Sequence, residues 1–439
     1  MAEPFRAIVV GAGPVGLIIA HALSAAGIDF ICLEQRGRLL DDLGASLVLH
    51  PPTLRVLNQL GLYDDLLAIC NEIHQQTTMI ASTGEQWDSS GLTSTIMQNH
   101  GIPLMTFHRA DFMKVLYYGL CKDARLKILT SKTVTNIESQ DSGVTVDCSD
   151  ETVYKGSIVI GADGTNSVTR KLMHGIATKD VPESLWGPLM PYKSEFVCLW
   201  CTCPPMIEPG HYFETQHRGL SVITLTGKQR NWLLLFEKKS EASRSRQKTS
   251  DDDLQQFAAR FFSFPACPQF TVEDMFARRI TAGLTRLDEG MTKHWFYGRM
   301  VLVGDACHKM TPNAGFGFNN GVQDAVVLCN GLKKLVLEDS SAGVQPDQLR
   351  DVFAQYEASR QEQVRRDLSF SAHFTRIQAW DNWIYYLFAR WIRPLKIAQR
   401  WSAEKISHHF SKARVLNYVP AKDPFHGLLP WQNSSMGAS

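Results

Sequence analysis

Three glycine-punctuated stretches carry the residue types that phosphate binding and redox chemistry need. In the first, the apolar run Ala7 to Val10 enters Gly11, Gly13 and Gly16 and continues as an apolar helix. Gly11 suits a tight turn, Gly13 admits a pyrophosphate close to backbone N–H groups, and Gly16 lets the helix pack against the strand. The helix start adds a positive dipole end for the phosphates. Glu34 closes a second strand, at the spacing where a carboxylate accepts hydrogen bonds from an unphosphorylated adenosine ribose. In the second stretch, the strand Ser157 to Ile160 leads into Gly161-Ala162-Asp163-Gly164 and a helix from Ser167, so Asp163 is expected near phosphates or a second nucleotide. In the third, the strand Met300 to Val303 ends at Gly304-Asp305 and passes through His308, Pro312, Gly315, Gly317 and Phe318 into a helix from about Gly317 to Leu335. A carboxylate at a strand end faces the ligand crevice, and a helix N-terminus stabilises the negative charge of a reduced isoalloxazine. Together the motifs call for a flavin rather than a nicotinamide alone.

These motifs need strands, crossover helices and a second layer to position them. At 439 residues, the chain is long enough for two sizeable cores. The expected class is α/β, with a Rossmann-like FAD-binding domain, an interleaved and mostly antiparallel substrate sheet, and a helical C-terminal region. The boundaries are 1–181 and 298–376 for the nucleotide domain, 182–297 for the substrate sheet and 377–439 for the helical region. Some strands from 75–107 are assigned to the sheet. Strands Phe196 to Cys203, His211 to His217, Ser221 to Thr226 and Trp232 to Phe236 follow one another, which suggests antiparallel pairing. The polar stretch Lys238 to Asp253 reads as a surface loop ending in a capped helix.

Net charge is +1, from 45 basic and 44 acidic residues without blocks, which argues against a nucleic-acid groove. The run Ala7 to Ala26 is interrupted by glycines, Pro14 and His21, so it is not expected to span a membrane. Ten scattered cysteines and no room for a signal peptide before the first motif suggest a reducing, intracellular setting, cytoplasmic or peripherally attached to an internal membrane. Cys198, Cys201 and Cys203 lack a nearby fourth ligand and read as buried strand cysteines rather than a metal site. Nothing in the sequence specifies an oligomeric state.

The segments GAGPVG (11–16), GADG (161–164) and GDACHKMTP (304–312) resemble those of FAD-dependent monooxygenases of the p-hydroxybenzoate hydroxylase type. The stretches GASLVLHPPTLRVLNQLGLYDDL, FHRADFMKVL, GLSVITLTGK and LNYVPAKDPFHG look most like the fungal members that epoxidise prenyl chains in meroterpenoid and indole-diterpene pathways. The resemblance implies that Glu34 binds the ribose, Arg109 contacts FAD, Asp163 lies near the pyrophosphate and the NADPH route, Asp305 holds the ribityl chain and Pro312 sits beside the isoalloxazine. From the residues alone, Arg109 could equally be a surface arginine. Val48 and Phe318 stand where relatives often carry glycine and alanine, so their FAD contacts would be backbone ones. His217 stands where relatives often carry a tyrosine facing the flavin.

One adenine-nucleotide fingerprint must serve two redox nucleotides, which implies bound FAD and transient docking of NADPH. Oxygen transfer from O2 to an apolar small-molecule substrate would proceed through a flavin C4a-hydroperoxide. An electron-rich alkene requires no strong protein base. Hydroxylation of a phenol, the alternative, would be helped by His217 or His50, each of which also has a plain structural reading. The aromatic stretch 378–396, with Trp380, Trp383, Trp391 and nearby arginines, suits either a membrane surface or packing against the body. A non-enzymatic escort for a prenylated partner is the rival class, opposed by the retention of all three motifs. Flavin halogenase is disfavoured because the WxWxIP signature is missing.

Overall fold

In the computed structural model, which describes residues 4–42, 44, 46–239, 250–338 and 344–433, two sheets meet across one shared core. The six-stranded sheet runs in the order Phe296–Tyr297, Met300–Leu302, Ile158–Gly161, Arg6–Val10, Asp29–Leu33, Ile128–Leu129. Every neighbouring pair is parallel except the first. Its central strands are apolar almost without alternation and buried along their length, because both faces are covered. Helices Pro14–Ala26 and Phe316–Glu338 pack against each other beside the sheet, and a small antiparallel sheet of Val134–Gln140, Gly143–Cys148 and Val153–Gly156 also contacts it. All three glycine motifs follow the carboxyl ends of neighbouring parallel strands.

The eight-stranded sheet has the order His308–Lys309, Thr281–Met291, Lys193–Cys203, Asn231–Lys238, Leu220–Thr226, His211–His217, Gln75–Ile80, Gln86–Asp88. The expected antiparallel run is present, and Gln75–Ile80 joins it in parallel beside His211–His217. Alternation sorts the side chains onto two faces. Val197, Leu199, Cys201 and Cys203 pack with Leu254, Phe257, Phe261 and Val272 on the outer face. Phe196, Cys198, Ile223, Leu225, Trp232 and Phe236 enter the core shared with the nucleotide sheet. Cys198 is therefore turned away from Cys201 and Cys203.

Several boundaries differ from expectation. The helix expected over Ser167 to Met173 extends as Val168–Asp180. The aromatic helix expected around Trp380 is broken: the 33-residue helix Pro346–Gln378 ends before Trp380, which takes a left-handed φ of 44°. Asn382 then starts a new helix, its Oδ1 accepting from the N–H groups of Ile384 and Tyr385. Helical turns Trp383–Leu387 and Phe388–Ile392 and the helix Lys396–Phe410 follow. Most of the expected loop Lys238 to Asp253 lies outside the described residues, and its capped helix begins at Asp251 with a reciprocal Ser250–Asp253 capping box.

Candidate active site

The first glycine turn is built by contact as well as by conformation. Gly11 has a φ of 99°, and a Cβ there would lie 2.7 Å from the Ala162 carbonyl oxygen. On Gly16 a Cβ would fall 1.9 Å from the Gly11 carbonyl oxygen. Gly13 differs, because its Cβ position has no atom within 4 Å and opens on empty space at the start of the helix Pro14–Ala26. Glu34 is buried and accepts from the backbone N–H groups of Ala12 and Arg36, each at 2.9 Å. Two bonds leave lone pairs on both oxygens for ribose hydroxyls.

The third motif is held by a buried ionic cluster. Asp324, fully buried, accepts from the Gly304 N–H at 2.9 Å, from His308 Nε2 at 2.6 Å and from Arg360 Nε at 2.8 Å. Burial opposes its ionisation, but His308 and Arg360 prevail and bring the carboxyl down to about 2. Farther along, Asn319 Nδ2 donates to both the Val48 and Gly315 carbonyls, at 2.9 and 2.6 Å. Asn319 thereby ties the strand Ser46–Leu49 to the turn before the helix Phe316–Glu338. Gly315 has a φ of 70°, and the Cβ position of Gly317 is open like that of Gly13. Pro312 is exposed, and Phe318 meets Phe112 edge to face, with centroids 5.3 Å apart.

Arg109 opens the helix Arg109–Gly119, and a Cβ on Gly44 would lie 3.1 Å from its Cδ. Among the described residues its guanidinium has no hydrogen-bond partner. Desolvation lowers its pKa, opposed by the charge of Asp305. A cation held in this state suits an anionic or carbonyl-rich ligand. Asp163 is committed differently. Its carboxylate accepts from Ser167 Oγ at 2.5 Å and from the Thr169 N–H at 2.9 Å, so it secures the start of the helix Val168–Asp180, and burial raises its pKa. Arg170 bridges the motifs by donating to the Ala306 carbonyl at 2.7 Å and to the Tyr192 hydroxyl at 3.1 Å.

The two candidate catalytic histidines are not brought together. His50 is buried, with Phe316 and Phe410 ring centroids each 5.0 Å away, and burial lowers its pKa to about 4. His217 shares the strand parity of Phe213 and Thr215, and its ring packs on Phe264 at 5.0 Å and on Trp380 at 6.4 Å. Because alternate residues point to opposite faces, His217 is turned from the crevice side that carries Tyr212, Glu214 and Gln216.

The crevice side contains a polar network that the sequence did not single out. Asn313 donates to Gln378 Oε1 at 2.6 Å, and Gln378 Nε2 donates to Glu214 at 2.6 Å and to the Tyr212 hydroxyl at 3.1 Å. Both guanidinium nitrogens of Arg393 pair with Glu214, one of them at 2.8 Å. Burial works against the Glu214 charge, but Arg393, Gln216 and Gln378 outweigh it and lower its pKa. The half-buried side chains of Trp200 and Leu234 share this face with Ile223. These partners are far apart in sequence, and the pairing of Glu214 with Arg393 has no local signal.

Comparison with known proteins agrees with this geometry. The chain belongs to the FAD binding domain family, whose model matches residues 5–366, and it is an oxidoreductase of the FAD-dependent monooxygenase class. It is similar to the FAD-dependent monooxygenase prhF of Penicillium brasilianum, 31% identical over 398 residues covering 89% of this chain and 82% of that one. The FAD-dependent monooxygenase srdH of Neurospora crassa is 29% identical over 442 residues, covering 97% and 98%. Klebsiella pneumoniae HpxO complexed with FAD and uric acid has the same fold, with a TM-score of 0.75 at 19% identity over 93% of this chain and 97% of that one. A salicylate hydroxylase substrate complex matches with a TM-score of 0.67 at 15% identity over 93% and 98%.

The residues present fit FAD. Two glycine Cβ positions open on empty space at helix starts, Glu34 keeps acceptor capacity, and Arg109 is a desolvated cation without a hydrogen-bond partner among the described residues.

Proposed function

We propose that this monooxygenase consumes NADPH and O2 to place one oxygen atom on an apolar, prenylated or terpenoid intermediate, most readily as an epoxide. The second oxygen atom leaves as water, NADPH supplying both electrons as a hydride and becoming NADP+, and a proton from solvent completing the water. Gly13 and the start of the helix Pro14–Ala26 would hold the pyrophosphate and Glu34 the ribose. Arg109 and Asp305 would hold the ribityl side, and the Pro312–Gly317 turn would border the isoalloxazine. Bound FAD supplies the activation of O2 and the transfer of one oxygen atom. The chain's own residues orient the substrate and exclude water.

The observation that carries this reading is the crevice face itself. Trp200, Ile223 and Leu234 form an apolar surface, and the carboxylate on the same face, Glu214, is bound on both oxygens by Arg393, with Gln378 donating to one of them. A carboxylate held down in pKa by its partners is a poor proton acceptor, the His217 ring packs on Phe264, and the His50 ring, beside Gly315 and between Phe316 and Phe410, has its pKa lowered to about 4 by burial and is a weak base. Such a surface suits an alkene, which needs no base, better than a phenol, which benefits from one.

The test follows the flavin absorbance of the purified protein with NADPH under argon and then in air, with a prenylated aromatic and a simple phenol as candidate substrates. Faster bleaching with the prenylated compound and a product heavier by one oxygen atom support the proposal. Turnover of the phenol alone would replace epoxidation by aromatic hydroxylation.

A further inference from the structure

We infer that the segment 383–401 forms a peripheral docking surface for an anionic lipid bilayer, a property that goes beyond the oxidation chemistry and does not depend on it. Trp383, Ile384, Trp391, Ile397 and Trp401 are 70%, 58%, 63%, 78% and 59% exposed. No residue of the helix Trp383–Leu387 is buried, and in the next turn only Ala389 is. Folded chains rarely leave so many large apolar side chains in water along one short segment, and contiguous patches of this kind mark interaction sites. Tryptophan and tyrosine are the residues that settle at a lipid–water boundary, with an apolar ring and a polar edge.

Charge decides the occupant. From Asn382 to Ala403 the sequence has no acidic residue and four basic ones, Arg390, Arg393, Lys396 and Arg400. Arg390 pairs with Glu85 and Arg393 with Glu214, which leaves Lys396 and Arg400 as the segment's cations without a salt bridge among the described residues. Lys405 adds a further cation, its Nζ 3.6 Å from the Trp401 ring centroid. Beside the segment, an open groove of about 510 Å3 is lined by Arg365, Arg366, Ser369, Phe370 and His373. His373 meets Tyr385 at 6.1 Å, so groove and segment adjoin. Basic side chains flanking aromatic and aliphatic ones along these short helical turns match a surface segment lying in the headgroup plane of an anionic leaflet. A second copy docked on the same face would set these cations against one another, which disfavours a symmetric dimer.

No helix among the described residues is long and apolar enough to cross a membrane, so the contact is peripheral. The docking segment is also a wall of the crevice, because Arg393 reaches inward from it to Glu214. An apolar molecule dissolved in the bilayer would therefore meet the protein where the crevice is closest to lipid.

The experiment is co-sedimentation of the full FAD-loaded chain with vesicles of phosphatidylcholine alone and of phosphatidylcholine with phosphatidylserine. The expected result is roughly tenfold stronger binding to the serine-containing vesicles at low salt, weakening as salt is added. The triple variant Trp383→Ser, Trp391→Ser, Trp401→Ser should lose about tenfold or more on both vesicles. Lys396→Glu with Arg400→Glu should remove only the preference for phosphatidylserine. Flavin content and melting temperature establish that each variant is folded. Failure of the unmodified protein to sediment with either vesicle overturns the proposal, as does binding that the tryptophan variant leaves unchanged. A dimer in solution that the tryptophan variant dissolves, without vesicle binding, overturns it in favour of self-association.

Discussion

At the residue scale, the three glycines of the first motif do different work, and substitution separates them. Gly16→Ala places a methyl group 1.9 Å from the Gly11 oxygen, so the turn must open and the fold should be lost or much weakened. Gly13→Val fills only open space, so the chain should keep its melting temperature without FAD while losing flavin. Far-UV circular dichroism and the flavin-to-protein absorbance ratio measure the two effects. A Gly13→Val protein with full flavin would remove the pyrophosphate from this turn. His50 makes a pH prediction. Its pKa falls from 6.5 to about 4 on burial, so between those values the unfolded chain binds more protons and stability declines as pH drops. The difference is worth roughly 3 kcal/mol at most. Melting temperature against pH should fall through this window, and His50→Gln should flatten that part of the curve.

Among the elements, the polar network decides how the C-terminal segment sits on the sheet. Arg393→Met leaves the fully buried Glu214 charged without its main partner, at a cost of about 3–5 kcal/mol. Adding Glu214→Gln should recover most of that loss, because the amide keeps an acceptor for Gln378 and carries no charge. Denaturant midpoints of the single and double variants measure this, and equal destabilisation of both would mean that the pair is not coupled. The sign of the pH effect follows from the depressed pKa of Glu214: its contribution is present above the unfolded carboxylate value and disappears as pH falls through the lower folded one.

For the whole molecule, the C-terminal strap closes the chain on its own beginning. Arg55 is buried in the helix Pro51–Gln59, donates through Nε to Asp423 at 2.6 Å and through Nη2 to the Asn433 carbonyl at 3.0 Å, and lies 4.1 Å from the Trp431 ring. Asp423→Ala should therefore destabilise the protein by about 3 kcal/mol, although residue 423 is remote from the crevice. Thermal unfolding followed by both flavin fluorescence and circular dichroism would show one shifted transition. A change in only the flavin signal would mean that the strap stabilises the site alone.

The sequence by itself determined the nucleotide half of this protein. Gly11, Gly13, Gly16 and Glu34 act through backbone shape and short-range spacing, so their pattern is legible along one βαβ unit. The strand succession 193–238 is legible for the same reason, because alternation is a local property. Only the tertiary structure decided which face each strand turned inward: the sequence left His217 open between a base and a packed ring, and its ring meets Phe264. It also decided that Trp380 breaks the aromatic helix, and that Arg393 neutralises a carboxylate 179 positions away. Burial and ion pairing depend on which distant segments meet, and no local spacing encodes that meeting.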